Sequence, residues 1–320
     1  MPFRPKFVLK LSFSIALLAI VFSRVNFGAV SQTIAQADAL PLWLALLLSL
    51  AMNVTDAAQW RSVLASLEHR ITFKAALAYS FSGSFFGVIG PSSLGVDVFR
   101  AAQMRRLGIS TEVAIRAVVS SRLVAFVSLL AVIATGLPIA FGFNLSPRDQ
   151  ILLWGTFSTG VASLVGILLL EPIRRRFSFL QRVTIVEKLA DVSNDLGRAL
   201  SSGRCRATSL FYATATHVLR LSTFAALAWA FHAWVGFWPL YALIPISLLV
   251  AMVPITIGSW GVREISVIFF LGWAGVGAAS ALSMSVTFGI LRLVMAAIGG
   301  AAWVLLGSHH YSLQVADNPD

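Results

Sequence analysis

"PSSLGVDVFR", residues 91–100, follows directly on an apolar stretch and is too polar and too broken to continue a membrane helix. A similar phrase, "PITIGSWGVR", returns at residues 254–263. In both, glycine follows proline by four positions (Gly95, Gly258) and arginine follows that glycine by five (Arg100, Arg263). Proline removes a backbone donor and glycine permits a tight turn. Each phrase therefore reads as the tip of a helical hairpin, shaped by Pro91 and Gly95 in the first case and by Pro254, Gly258 and Gly261 in the second.

The surroundings of the two phrases set the class. Hydrophobic residues make up 58% of the 320-residue chain and charged residues only 12%, whereas a soluble domain has about 25% charged residues. Apolar segments recur at 8–29, 40–60, 73–90, 112–143, 150–170, 208–235, 238–253 and 277–306, with a shorter one at 264–275. This is the pattern of an all-α, polytopic integral membrane protein forming a single membrane domain over 1–320. A crossing helix needs about 20 residues; 73–90 and 238–253 are short, and each stops at one of the phrases. The longest polar stretch, 171–207, is too small to bury a core of its own. Arg4, Lys6 and Lys10 precede the apolar run 11–22 as in a signal peptide, but the cleavage-like Ala35-Gln36-Ala37 lies well beyond that run. An uncleaved first helix is expected.

The formal net charge is +11. The cations gather in a few loops, which points to orientation and to anionic lipid headgroups rather than to nucleic acid. Cys205 is the sole cysteine, so no intrachain disulfide or thiolate metal cluster can form. The five histidines are scattered, and His309-His310 reads as a solvated tail. There is no Walker A loop, no H-E-x-x-H and no G-x-S-x-G. Neither a metal nor a cofactor is expected, and no catalytic residue is assigned.

Basic loops belong on the cytoplasmic side. The N-terminus, the loop at 61–74 (Arg61, Arg70, Lys74), the stretch 100–116 (Arg100, Arg105, Arg106, Arg116) and the loop at 171–207 all carry cations, while the loop from Asn26 to Ala39 carries none. If 73–90 crossed fully, Arg100, Arg105 and Arg106 would face outside. A re-entrant hairpin that enters from the cytoplasm, breaks near Pro91 and returns resolves the conflict; eight full crossings would fit hydropathy but violate the charge bias. The second half repeats the logic from the opposite side, with its hairpin breaking at Pro254. The expected architecture is an inverted-topology repeat, 1–149 and 150–308, with two re-entrant helical hairpins, the N-terminus cytoplasmic and the basic loop 171–207 between spans. Within that loop, "VEKLADVSNDLGRAL" reads as an amphipathic surface helix.

Charges at membrane depth are costly and face a cavity, a partner or a function. Arg122 lies in "VVSSRLVAF" and Arg292 in "FGILRLVMA"; Asp97 and Arg100 belong to the first phrase, and Arg263 and Glu264 close the second. One reading makes these structural ion pairs, Asp97 with an arginine of the other half and Glu264 with another. The other makes a cationic pocket for a phosphate headgroup, because guanidinium is a planar fork suited to phosphate. Four arginines against two carboxylates favour the second, with Ser92, Ser93 and helix-end N–H groups as further donors. Asp56 is read as an interfacial anchor beside Arg61, His217 and Arg220 as interfacial, the tryptophans as interface belts, and Gly83-x-x-x-Gly87 as a close-packing motif.

"GPSSLGVDVFRAAQMRRLG" and "VPITIGSWGVREISVIFFLG" resemble the two signature stretches of the lysylphosphatidylglycerol synthase transmembrane-region family, also called flippase-like. "SSRLVAF" and "GILRLVMAAIGG" resemble that family's arginine-bearing helices, and the likeness runs along nearly the whole chain in span order. The resemblance implies a unit that moves a lipid between leaflets; in bifunctional members a separate soluble domain makes an aminoacylated lipid. The printed chain ends at Asp320, soon after the last span, so synthase activity is not expected. Relatives commonly carry a second glycine before the aspartate, where this chain has Val96, a stiffer residue for that turn.

The expectation is a lipid flippase-like transporter of the inner membrane, moving an anionic or phosphate-bearing lipid, aminoacylated or polyprenyl- or glyco-linked. Arg100, Arg122, Arg263 and Arg292 would bind the headgroup, and Asp97 and Glu264 would orient them. The alternatives are an intramembrane headgroup transferase using Asp97 or Glu264 as base, and a scaffold for a separate lipid-modifying enzyme.

Overall fold

The computed structural model describes residues 27–89, 95–140, 142–143, 145–176, 203–253, 256 and 259–306. Pro91, Ser92, Ser93, Pro254 and Gly258 lie outside the described residues, as do most of the first apolar segment and the surface helix expected at 186–200. Among the described residues the chain forms ten helices and no strand: α1 Phe27–Ala35, α2 Ala39–Ser66, α3 Phe73–Ile89, α4 Gly95–Arg106, α5 Thr111–Ala140, α6 Pro147–Arg176, α7 Gly203–Ala230, α8 Phe237–Ala251, α9 Val262–Gly272 and α10 Ala278–Leu306. The protein is an all-α polytopic membrane protein.

Local chemistry places the helix starts. Thr72 Oγ1 accepts the Ala75 N–H at 3.3 Å and Ser110 Oγ accepts that of Val113 at 3.3 Å, capping α3 and α5. Ser146 Oγ accepts the Asp149 N–H at 3.2 Å and donates to the Asp149 carboxylate at 2.7 Å, with Pro147 at the first helical position of α6.

Among the described residues, four helices are long and apolar enough to cross a membrane: α2, α5, α6 over Pro147–Leu169 and α10 over Ala278–Val304. Helix α7 is as long as α2, 28 residues, or about 42 Å, but it carries Thr216, His217, Arg220 and Thr223 along its length. Helices α3 and α8, with 17 and 15 residues, reach only about 22–26 Å against a hydrocarbon core of about 30 Å.

Two antiparallel helical hairpins flank a central helix pair. In the first, α4 returns along α3: Val96 sits against Gly83 and Gly87, and Phe99 stacks on Phe86 at 4.7 Å. In the second, α9 returns along α8: Ser266 Oγ donates to the Ser247 carbonyl at 3.1 Å, and Ser259 Oγ to the Ala251 carbonyl at 2.8 Å. The central pair, α2 and α7, is antiparallel. Ser62 meets Thr208 and Ser209 at 2.7 and 3.0 Å, and Thr55 meets Thr216 at 2.8 Å, so one index falls as the other rises. The hairpins also lean across this pair, α3 on α10 and α8 on α5. At Gly299 any Cβ would run into the Phe81 carbonyl, so α10 and α3 cross backbone to backbone.

The apolar core lies in two main clusters. One joins α5 and α7 to α10 through Leu129, Phe224, Leu243, Phe270 and Phe288; the other joins α2 to α5 through Trp60, Tyr79, Phe99 and Met104.

Three sequence expectations change. Residues 26–39, read as a loop, contain α1, whose Val30 packs with Leu282 of α10; the lack of cations had marked the segment's side, not its conformation. The stretch 100–116 is helical at both ends, with Arg100, Arg105 and Arg106 in α4 and Arg116 in α5, 3.7 Å from Glu112. The basic loop 171–207 is narrower than read, because α6 runs to Arg176 and α7 starts at Gly203.

Candidate functional site

The first phrase yields a helix start rather than a loop. Gly95 opens α4 where a Cβ would strike the Phe86 carbonyl, so only glycine lets the hairpin close this tightly. Val96 then fills the notch left by Gly83 and Gly87, 2.6 Å from where a Cβ on Gly87 would lie. The close-packing motif thus serves the hairpin, and Val96 is part of the fit. With α4 fixed, Asp97 and Arg100 lie three residues apart on one helix face.

Arg100 is bound by Asp56 of α2, which also accepts from Ser80 Oγ of α3. Its guanidinium lies 4.9 Å above the buried Trp60 ring. Arg100 Nε, itself buried, has no acceptor among the described residues. Asp97 is held by Arg122 of α5: Nε donates to both carboxylate oxygens at 3.2 and 3.0 Å, and Nη2 reaches Oδ2 at 2.8 Å. The Arg122 side chain remains 47% exposed.

The second phrase builds a tighter unit. Gly261 has φ +90°, a left-handed value that glycine accepts without strain. Its N–H donates to Glu264 at 2.6 Å, so the third-position carboxylate of α9 caps its own helix. The other Glu264 oxygen accepts from Arg263 Nε and Nη2 at 3.0 and 2.6 Å and from Ser285 Oγ of α10 at 3.1 Å. Arg263 also lies 4.7 Å from the Trp260 ring and 5.7 Å from Phe288.

Helix α7 contributes a further element. His217 Nε2 donates to the Ala125 carbonyl at 2.9 Å, and Arg220 Nη1 donates to His217 Nδ1 at 3.3 Å. A carbonyl can only accept and a guanidinium can only donate, so the geometry requires a neutral imidazole with its proton on Nε2.

These groups converge. Arg100, Arg122, Arg220, Arg263 and Arg292 all line one cavity of about 360 Å³, together with Asp56, Asp97 and His217. Five different helices supply the five arginines. Arg263 and Arg292 also border a smaller void of about 50 Å³ beside Trp260. Among the described residues no three His, Cys, Asp or Glu side chains gather as a metal would require.

The residues singled out by sequence divide accordingly. Arg100, Arg122, Arg263, Arg292 and Asp97 line the cavity; Glu264 sits behind Arg263 without lining it. Gly95 and Gly261 shape helix starts as described above. The structural reading had paired Asp97 and Glu264 with arginines of the opposite half. Instead, Asp97 pairs with Arg122 and Glu264 with Arg263, each inside its own half of the chain. Asp56 binds Arg100, not Arg61, and His217 and Arg220 belong to the cavity rather than the interface. Trp60 and Trp260 lie against arginines, not in an aromatic belt. For Arg220 a signal existed: a His and an Arg three apart, many residues inside an apolar segment, share one helix face.

Fold and site together define a membrane protein with a cationic cavity lined by several of its helices. A family model for the lysylphosphatidylglycerol synthase TM region matches residues 7–300, and the chain belongs to that family. No curated protein matches it.

Proposed function

We propose that this protein is a flippase-like transporter of the inner membrane that carries a lipid with an anionic, phosphate-bearing headgroup between leaflets. The observation that carries the reading is the convergence of five arginines, from five helices of both halves, on one cavity. A phosphate offers acceptors that guanidinium forks bind in pairs, and an arginine-lined cavity at membrane depth is a substrate pathway by default. Membership in a family named for a lipid synthase's membrane region supports a lipid-related role.

The architecture proposed with it is an inverted repeat, 1–149 and 150–308, with re-entrant hairpins α3–α4 and α8–α9 and a cytoplasmic N-terminus. Three features favour it: the antiparallel α2–α7 pair, hairpin arms too short to cross, and the matched packing of α3 on α10 and α8 on α5. Rocking of one half against the other would then open the arginines to each leaflet in turn. The transferase alternative has less support, because Asp97 is engaged by Arg122, and Glu264 by Arg263, Ser285 and the Gly261 N–H.

Transport of a labelled anionic lipid in proteoliposomes tests the reading. Arg122→Gln and Arg220→Gln, each folded and reconstituted at parental levels, are expected to slow transfer about tenfold or more, the worth of one charge-assisted hydrogen bond. Parental rates in both variants would overturn it.

A further inference from the structure

We propose that the headgroup is a phosphate monoester carried as a dianion, rather than the phosphodiester monoanion of the common anionic phospholipids. The inference rests on the transporter reading above and narrows its cargo.

Charge is the first ground. Five guanidiniums line the cavity against the carboxylates of Asp56 and Asp97, and Glu264 lies directly behind Arg263. Among the described residues, three anions against five cations leave a formal surplus of two, and His217 is held neutral between Ala125 and Arg220. A monoester near neutral pH carries about −1.5 to −2, its second pKa being about 6, and a field of arginines favours the dianion. A diester carries one charge whatever the pH. Loaded with a dianion, the site approaches neutrality; loaded with a diester, it keeps an uncompensated charge at membrane depth, which is costly.

Shape is the second ground. The arginines come from α4, α5, α7, α9 and α10, so donors from five helices reach the one cavity. A monoester presents three terminal oxygens to them. A diester has two of its four oxygens esterified and offers only two. The cavity, about 360 Å³, is at the small end of ligand sites. It suits a bare phosphate whose lipid chain stays in the bilayer, not a bulky sugar.

The same chemistry could come from free phosphate, so the experiment has three arms. Purified full-length protein in phosphatidylcholine nanodiscs is titrated with dioleoyl phosphatidate, with dioleoyl phosphatidylglycerol and with inorganic phosphate. Phosphatidate is expected to bind at least about tenfold more tightly than either competitor. The preference should disappear as the pH falls from about 8 to about 5, where the dianion takes up one proton and becomes a monoanion. The phosphatidylglycerol arm at each pH controls for titration of His217, Asp56 and Asp97. Arg220→Gln combined with Arg292→Gln removes two charges and should bring the two lipids to within about twofold, even where overall affinity drops. Equal binding of both lipids by the parent protein would overturn the monoester while leaving the transporter reading intact. Inorganic phosphate binding as tightly as phosphatidate would overturn the lipid source. No binding or transfer of any anionic lipid would defeat the transporter reading itself.

Discussion

The two phrases end in the same residue, yet the two arginines are held in opposite ways. Arg263 is bound by its own neighbour, Glu264, and the pair is buried, with side chains 2% and 0% exposed. Arg100 is bound by Asp56, 44 residues earlier on another helix, and that carboxylate side chain is 36% exposed. The second unit is self-contained: one carboxylate caps α9, fixes the arginine and ties α10 through Ser285. The first ties α2, α3 and α4 together across a surface the cavity reaches. On the proposed transport cycle, the second unit serves as a fixed post and the first as the part that yields. Removing one partner of a buried pair leaves a charge that water cannot reach, so Arg263 depends on Glu264 more strictly than Arg100 depends on the half-exposed Asp56.

The largest test of that contrast is Glu264→Ala. It strands a fully buried guanidinium, removes the α9 cap and breaks the Ser285 contact, and losing one member of a buried pair costs about 3–5 kcal/mol. Thermal melting of the purified protein should fall sharply. Arg263→Met together with Glu264→Gln should recover much of the loss, because removing both charges takes away the stranded one. An unchanged melting temperature in Glu264→Ala would show that the post is not a post.

Asp56→Asn is the matching change in the other unit and should be milder. The half-exposed site lets water screen the loss, the amide oxygen still accepts from Ser80, and Trp60 still faces Arg100. The expected stability loss is about 1 kcal/mol. Headgroup binding should tighten, because a competing carboxylate has gone. A destabilisation equal to that of Glu264→Ala, or weaker lipid binding, would break the comparison.

Sequence made the hairpins legible because proline and glycine punctuate them. The apolar run at 73–90 became α3 over 73–89, and that at 238–253 became α8 over 237–251. It also exposed four of the five cavity arginines, Arg122 and Arg292 as charges inside apolar runs and Arg100 and Arg263 as the ends of the paired phrases. What it hid is pairing. The Asp56–Arg100 bond spans two helices whose approach depends on Gly83, Gly87 and Gly95 closing the hairpin, and no spacing rule carries that distance. Arg220 was passed over because a polar face on α7 resembles an interfacial helix end until α2 packs against it. Helix α1 was missed because loop and helix were separated there by charge alone.

The smallest test concerns the two indoles. Trp60 and Trp260 each lie about the same distance from a guanidinium, 4.9 and 4.7 Å, and a cation–π contact is worth about 0.5–1 kcal/mol where water reaches and more where it does not. Phenylalanine keeps a ring at each site but weakens the attraction. Arg263 has two hydrogen bonds to Glu264 and another to Ser285 to hold it whatever lies above. Arg100 has one half-exposed carboxylate, so the Trp60 ring carries a larger share of its placement. Trp60→Phe should therefore shift anionic lipid affinity by about two- to fivefold, and Trp260→Phe by less than about twofold. Equal shifts would mean that both arginines are held alike, and that the exposed carboxylate at Asp56 does not make the first unit the yielding one.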